Sequence, residues 1–220
     1  MLVREIMQAA PVTANVDTPL SELTWLLARR GFRHVPIVDG ATLVGIVSDR
    51  DLKQATSSVA VATNGREPGR TEVKPTAGQI MTRRPTTIGP TASVEEAGRL
   101  MVAQRISALP VTEGDLLLGI VTDTDVLQLF VRALGVLEPS SRLDVTVHDA
   151  STSLGEVVQI VEGSGCRIAS AMTLGSPTGE RELVLRLATI DPRPAMKALL
   201  AKGYRVRNSD RIDSYAPAAV

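Results

Sequence analysis

The chain has 220 residues, 44% of them apolar, which is enough for one large domain or two to three small ones with cores of their own. Its 24 basic and 24 acidic side chains balance, and its aromatic residues are only Trp25, Phe32, Phe130, Tyr204 and Tyr215. This excludes a chain-wide pull toward nucleic acid or anionic membrane and a stacking platform for bases. Cys166 is the single cysteine, so an internal disulfide and a thiolate zinc cluster are excluded, and a reducing, cytoplasmic setting is expected.

The opening stretch MLVREIMQAAP carries an acid and no long apolar core, and residues 126–137, the most apolar later stretch, are interrupted by Arg132 and too short for a bilayer. Neither export nor membrane insertion is expected. Asp17 or Thr18 then suits the cap of a helix with Pro19 in its first turn, and Leu20, Leu23 and Leu27 follow at helical spacing. HVPIVDG and TLVGIV read as two short strands, the second leading directly into SDRDL at the mouth of another helix. Residues 56–75 are polar and rich in turn formers, and read as a linker.

The same series then recurs. A constant offset of 74 separates Ile6 from Ile80, Pro11 from Pro85, Pro36 from Pro110, Gly45 from Gly119 and Asp51 from Asp125. The match needs no gap from Ile6 to Leu52, which makes this an internal duplication. In the second copy Ser93 and Glu96 form the outline of a capping box, and ALPVTEG and LLLGIV are the matching strands. Each copy reads β-α-β-β-α, and each is small enough that two should pack together.

The remainder changes pattern. Leu143, Val145 and Val147 alternate, and Leu154, Val157, Val158 and Val161 share a helical face. Strand 167–174, a hairpin at GSPTGE, strand 183–190, a helix opened by Asp191 and Pro192, and strand 204–206 complete βαββαβ, the order of a ferredoxin-like α/β sandwich. The expected fold class is therefore α/β (α+β), with repeat 1 over 1–55, the linker over 56–75, repeat 2 over 76–136, the third domain over 141–213 and a tail over 214–220.

Ser48-x-x-Asp51 and Thr122-x-x-Asp125 admit two readings. They are capping boxes in outline, with aspartate in place of glutamate. They also set a hydroxyl and a carboxylate at a helix N-terminus, whose unpaired amides and partial positive charge suit a phosphate. Asp49, Asp51, Asp123 and Asp125 could be imagined as a divalent-cation site between the repeats, but carboxylates at helix starts usually answer the dipole, and no metal site is expected.

The tandem pattern IM…P-x-T…LP-V…GIV-[ST]-x-x-D resembles a pair of CBS domains, a Bateman module, over about residues 2–134. The resemblance implies an adenosyl ligand such as AMP, ADP, ATP or S-adenosylmethionine as a regulatory ligand. It also implies Asp51 and Asp125 as ribose-binding acids, Ser48, Arg50 and Thr122 nearer phosphate, and Thr13 and Thr87 along the nucleoside. In such pairs the two residues before the Leu/Val-Pro step reach phosphates, so Arg33 and His34 in RHVP resemble an anion clamp. Ser107 and Ala108 in SALP do not, and Thr124 replaces Arg50. One phosphate-competent site and one weaker site are expected. Arg29 and Arg30 read as a solvated helix face, and Trp25 as a packing or dimer residue.

The element order after the pair, with SRLDVTVHD…SLGEVVQIV, resembles an ACT domain, which implies dimerisation by side-by-side sheets; His148 and Asp149 leave room for a small ligand there. The whole arrangement is similar to the AcuB family of acetoin-utilisation accessory proteins, which implies a link to acetoin or central-carbon metabolism. No phosphate loop, dinucleotide turn, nucleophile elbow or paired-histidine metal motif occurs, so no catalysis, catalytic residue or catalytic cofactor is expected. The expected role is a cytoplasmic homodimeric sensor acting on an unknown protein target, with no nucleic-acid or membrane partner; the alternative is a ligand-free homodimeric interaction scaffold.

Overall fold

The structure, a computed structural model, describes residues 1–62, 75–147, 154–175 and 181–208. Most of the expected linker, the GSPTGE hairpin tip, His148, Asp149 and the 214–220 tail lie outside the described residues. The chain divides into two units, Met1–Leu127 and Gln128–Val220, the division falling inside a helix.

In the first unit the first repeat contains β1 (Gln8–Ala9), α1 (Leu20–Arg30), β2 (His34–Asp39), β3 (Thr42–Ser48) and α2 (Asp49–Ala62). The second contains α3 (Ala77–Ile80), β4 (Thr82–Arg83), α4 (Val94–Gln104), β5 (Ala108–Glu113), β6 (Leu116–Thr122) and α5 (Asp123–Ala133). The β2–β3 and β5–β6 hairpins are antiparallel and carry the same register, His34 opposite Ser48 and Ala108 opposite Thr122.

The leading strands are exchanged between repeats. β1 pairs with β6, Gln8 opposite Ile120, whereas β4 pairs with β3, Thr82 opposite Ile46. The cores follow the exchange: Ala77 and Met81 of the second repeat pack with Leu23, Val35, Ile37 and Val47 of the first, while Val3 of the first packs with Leu109, Val111 and Val121 of the second. Val3 is fully buried there, a burial that contributes about 1.5–3 kcal/mol. Neither repeat owns its whole core, so the two fold as one body.

That exchange explains the repeated glycine. A Cβ on Gly45 would lie 2.5 Å from the Met81 sulfur, and one on Gly119 would lie 2.6 Å from the Met7 sulfur and 2.9 Å from the Gln8 carbonyl oxygen. The Ile-Met pair of one repeat is therefore seated on the bare backbone of the other.

One local expectation is corrected. Pro19, not Asp17 or Thr18, is the N-cap of α1; the Thr18 hydroxyl instead donates to Asn15 Oδ1 at 3.2 Å and accepts from the Asn15 amide at 3.0 Å. Trp25, expected to serve packing or a dimer, is 54% exposed, with the Arg29 guanidinium 5.1 Å from its ring centre. In α4, Ser93 does cap, its Oγ accepting from the Glu96 amide at 3.1 Å.

The second unit contains β7 (Ser141–Val147), α6 (Leu154–Gly163), β8 (Ile168–Gly175), β9 (Arg181–Leu187), α7 (Arg193–Ala201) and β10 (Arg205–Asn208). Its sheet runs β10-β7-β9-β8 with every neighbour antiparallel. The period of two turns Leu143, Val145 and Val147 with Leu183, Leu185 and Leu187 toward Val157 and Val161 of α6 and Ala195 and Leu199 of α7. Cys166 is buried in the same core. β9 ends at Leu187, short of the expected Ile190, which is 83% exposed.

Candidate functional site

Each repeated Ser/Thr-x-x-Asp segment ends a strand and opens a helix, and both form the same closed ring of hydrogen bonds. Asp51 Oδ2 accepts from the Ser48 amide at 2.8 Å and from the Ser48 hydroxyl at 2.7 Å, and Ser48 Oγ accepts from the Asp51 amide at 3.3 Å. Thr122 and Asp125 repeat the three distances, 2.8, 2.7 and 3.3 Å. The capping reading is thus realised in both copies. None of these bonds uses the Oδ1 atom of either carboxylate.

Two clefts lie beside these boxes. The larger, about 920 Å³, is lined by Ser48, Arg50 and Asp51 of the first repeat and by Arg84, Thr86 and Arg105 of the second. The smaller, about 210 Å³, is its counterpart under the 74-residue offset, with Thr122, Thr124 and Asp125 facing Pro11, Val12 and Gly31. The strand exchange creates both, because each helix mouth meets the segment after the other repeat's leading strand.

Arg33 and His34 line both clefts. The Arg33 guanidinium, however, reaches across to the second repeat, Nη2 donating to Asp123 Oδ1 at 2.6 Å and to Thr124 Oγ1 at 3.2 Å. His34 Nε2 lies 3.2 Å from Ser107 Oγ. Burial foremost, then the neighbouring Arg33 charge, holds the His34 imidazole below its ordinary range, against the opposing pull of Asp49, Asp123 and Asp51. His34 is therefore neutral at pH 7. Asp49 is held below the usual carboxylate range, chiefly by the hydrogen bond from Lys53 Nζ at 3.1 Å.

Of the residues singled out in the sequence, Arg33, His34, Ser48, Arg50 and Asp51 converge on the larger cleft, and Arg33, His34, Thr122 and Asp125 on the smaller. Thr13 and Thr87 line neither. Both are exposed, and the cleft walls carry their predecessors Val12 and Thr86, because an extended segment turns successive side chains to opposite sides. Arg84 and Arg105 were absent from the sequence reading. Their signal was available at the 74-residue offset, where they replace Ala10 and Gly31. Among the described residues, no group of three or more His, Cys, Asp or Glu side chains could hold a metal ion, so the four aspartates do not assemble into a cation site. No helix among them is long and apolar enough to cross a membrane.

The family described as CBS domain matches residues 3–58 and 77–132, and the match does not extend to the second unit's sheet. A CBS domain-containing protein of Dictyostelium discoideum is 32% identical over 143 residues, covering 64% of this chain and 99% of that protein. An inosine-5'-monophosphate dehydrogenase of Korarchaeum cryptofilum is 34% identical over 116 residues, 52% of this chain but only 21% of the enzyme. Among solved structures, a protein assigned to acetoin utilization (AcuB) from Vibrio cholerae superposes with a TM-score of 0.52 at 31% identity, covering 62% of this chain and 94% of its own. CBSX2 in complex with AMP superposes with a TM-score of 0.51 at 25% identity, covering 60% of this chain and 96% of its own.

Proposed function

The chain belongs to the CBS-domain family, and on that premise we propose that it is a regulatory protein whose larger cleft takes an adenosyl ligand, AMP, ADP, ATP or S-adenosylmethionine. The observation that carries this reading is the open cleft of about 920 Å³ beside Asp51, with Oδ2 held by the Ser48 cap and Oδ1 left for a ribose diol. The α2 N-terminus and Arg50 supply donors for a phosphate at the same mouth. The AMP complex of CBSX2, with the same fold, supports the ligand class.

Ligand binding acts, in this reading, by favouring one arrangement of the repeats, since a ligand shifts an equilibrium only by its differential affinity. The second unit serves as a ferredoxin-like, ACT-type domain; its βαββαβ order and β10-β7-β9-β8 sheet support this. It pairs two copies side by side, and the exposed Trp25 suits a further contact in the homodimer. The protein catalyses no reaction and works in the cytoplasm on a metabolic partner; the likeness to an AcuB structure supports acetoin or central-carbon metabolism. The second reading, a ligand-free homodimeric scaffold, is favoured by the capping role that fully accounts for Ser48, Thr122 and one oxygen of each aspartate.

A thermal-shift series with AMP, ADP, ATP and S-adenosylmethionine separates the two. Saturation at about 100 times Kd stabilises the folded state by about 2.7 kcal/mol and raises the melting temperature. A flat response to all four supports the scaffold.

A further inference from the structure

The two clefts differ most at positions where the backbone is left-handed. Ala10 and Arg84, one offset apart, have φ of 46° and 49°, and Gly31 and Arg105 have 68° and 55°. The duplicated fold demands this conformation at both positions in each repeat, as it does at a third pair, Gly40 and Gly114, where both repeats keep glycine. The first repeat meets it with the two smallest residues, whereas the second places arginine at both positions, although a side chain is disfavoured there. Both arginines line the larger cleft.

Charge follows the same division. The larger cleft has Arg33, Arg50, Lys53, Arg84 and Arg105 against Asp49 and Asp51; the smaller has Arg33 against Asp125. Two of these cations are already engaged, Arg33 with Asp123 and Lys53 with Asp49. No described acid pairs with Arg50, Arg84 or Arg105, and all three are exposed on the cleft wall. Three uncompensated guanidiniums exceed what one phosphate at the α2 mouth requires, and they repel a cationic sulfonium.

We infer that the larger cleft selects a nucleoside di- or triphosphate, with Arg84 and Arg105 of the second repeat as the residues that bind the distal phosphates and set the preference over a nucleoside monophosphate or S-adenosylmethionine. This rests on the reading of the cleft as an adenosyl site. The smaller cleft, with Ala10 and Gly31 at the matching positions, has no such preference.

Calorimetric titration of ATP, AMP and inorganic tripolyphosphate into the full chain tests this, with Arg84→Ala, Arg105→Gly, the double variant and Arg99→Ala, an exposed arginine outside both clefts, as control. The expected result is ATP binding about tenfold or more tighter than AMP, with the margin shrinking as salt rises. Each single variant reduces ATP affinity roughly three- to tenfold and leaves AMP within about twofold, the double variant removes the preference, and Arg99→Ala changes nothing. Arg105→Gly also raises the melting temperature without ligand, because it relaxes the left-handed position, so loss of binding there is not unfolding. Equal affinity for ATP and AMP in the wild type, or a preference that survives the double variant, overturns the inference. Arginine-dependent binding of tripolyphosphate with no binding of either nucleotide overturns the adenosyl reading and supports the assignment of the arginines; binding of none of the three overturns both.

Discussion

Met7 is seated on Gly119, and Met81 on Gly45, so that each repeat's Ile-Met pair closes over the other repeat's central hairpin. At Gly119 the Gln8 carbonyl is 2.9 Å from where a Cβ would stand, against 3.1 Å for the Thr82 carbonyl at Gly45. A methionine chain can turn aside, but the backbone carbonyl cannot without unpairing the strand. Gly119→Ala should therefore cost about 1–3 kcal/mol in urea unfolding, and Gly45→Ala somewhat less. No loss at either position would contradict the close approach.

The two Ser/Thr-Asp boxes have the same geometry, so without ligand Asp51→Ala and Asp125→Ala should destabilise alike, by about 0.5–2 kcal/mol each. With ligand they should part, Asp51→Ala weakening binding more than Asp125→Ala. Equal losses of affinity at the two positions would rule out the asymmetry of the clefts.

His34 supplies a pH dependence. Its imidazole is held below the ordinary 6.5 by burial and by Arg33, with Asp49, Asp51 and Asp123 opposing and Ser107 against Nε2. As pH falls below that value the unfolded chain takes up a proton that the folded chain refuses, so stability is fully present above it and declines beneath it. The melting temperature should fall between about pH 7.5 and about pH 5.5, and less in His34→Gln. An equal fall in both proteins would place the dependence elsewhere.

The Arg33–Asp123 pair joins the repeats across 90 residues of chain, but its side chains are 51% and 47% exposed. Solvent screens such a pair, and a double-mutant cycle with Arg33→Ala and Asp123→Ala should return less than about 1 kcal/mol. A larger coupling would show that the bridge, rather than the exchanged cores, holds the repeats together.

The offset of 74 made the duplication, the hairpins and the helix mouths readable, because period and repetition are properties of the chain itself. The strand exchange was not readable. β1 and β4 are two residues long and carry no pattern of their own, and nothing local says which hairpin receives them. The repeated glycine was visible, but its cause lies in a methionine from the other repeat. For the same reason the first repeat's cations do not all serve one cleft: Arg33 turns to Asp123, and the larger cleft draws Arg84 and Arg105 from the second repeat. In the second unit, alternation located the core strands, but the end of β9 depended on packing that the pattern does not encode.

The most direct test of the account is a titration of ATP into the full chain, wild type beside Asp51→Asn, which keeps a cap while removing the charge. The account expects saturable binding that is about tenfold or more weaker in the variant, with the unliganded melting temperature little changed. Binding of equal strength in both proteins, or no saturable binding in either, would contradict it and leave Asp51 as the cap of α2 alone.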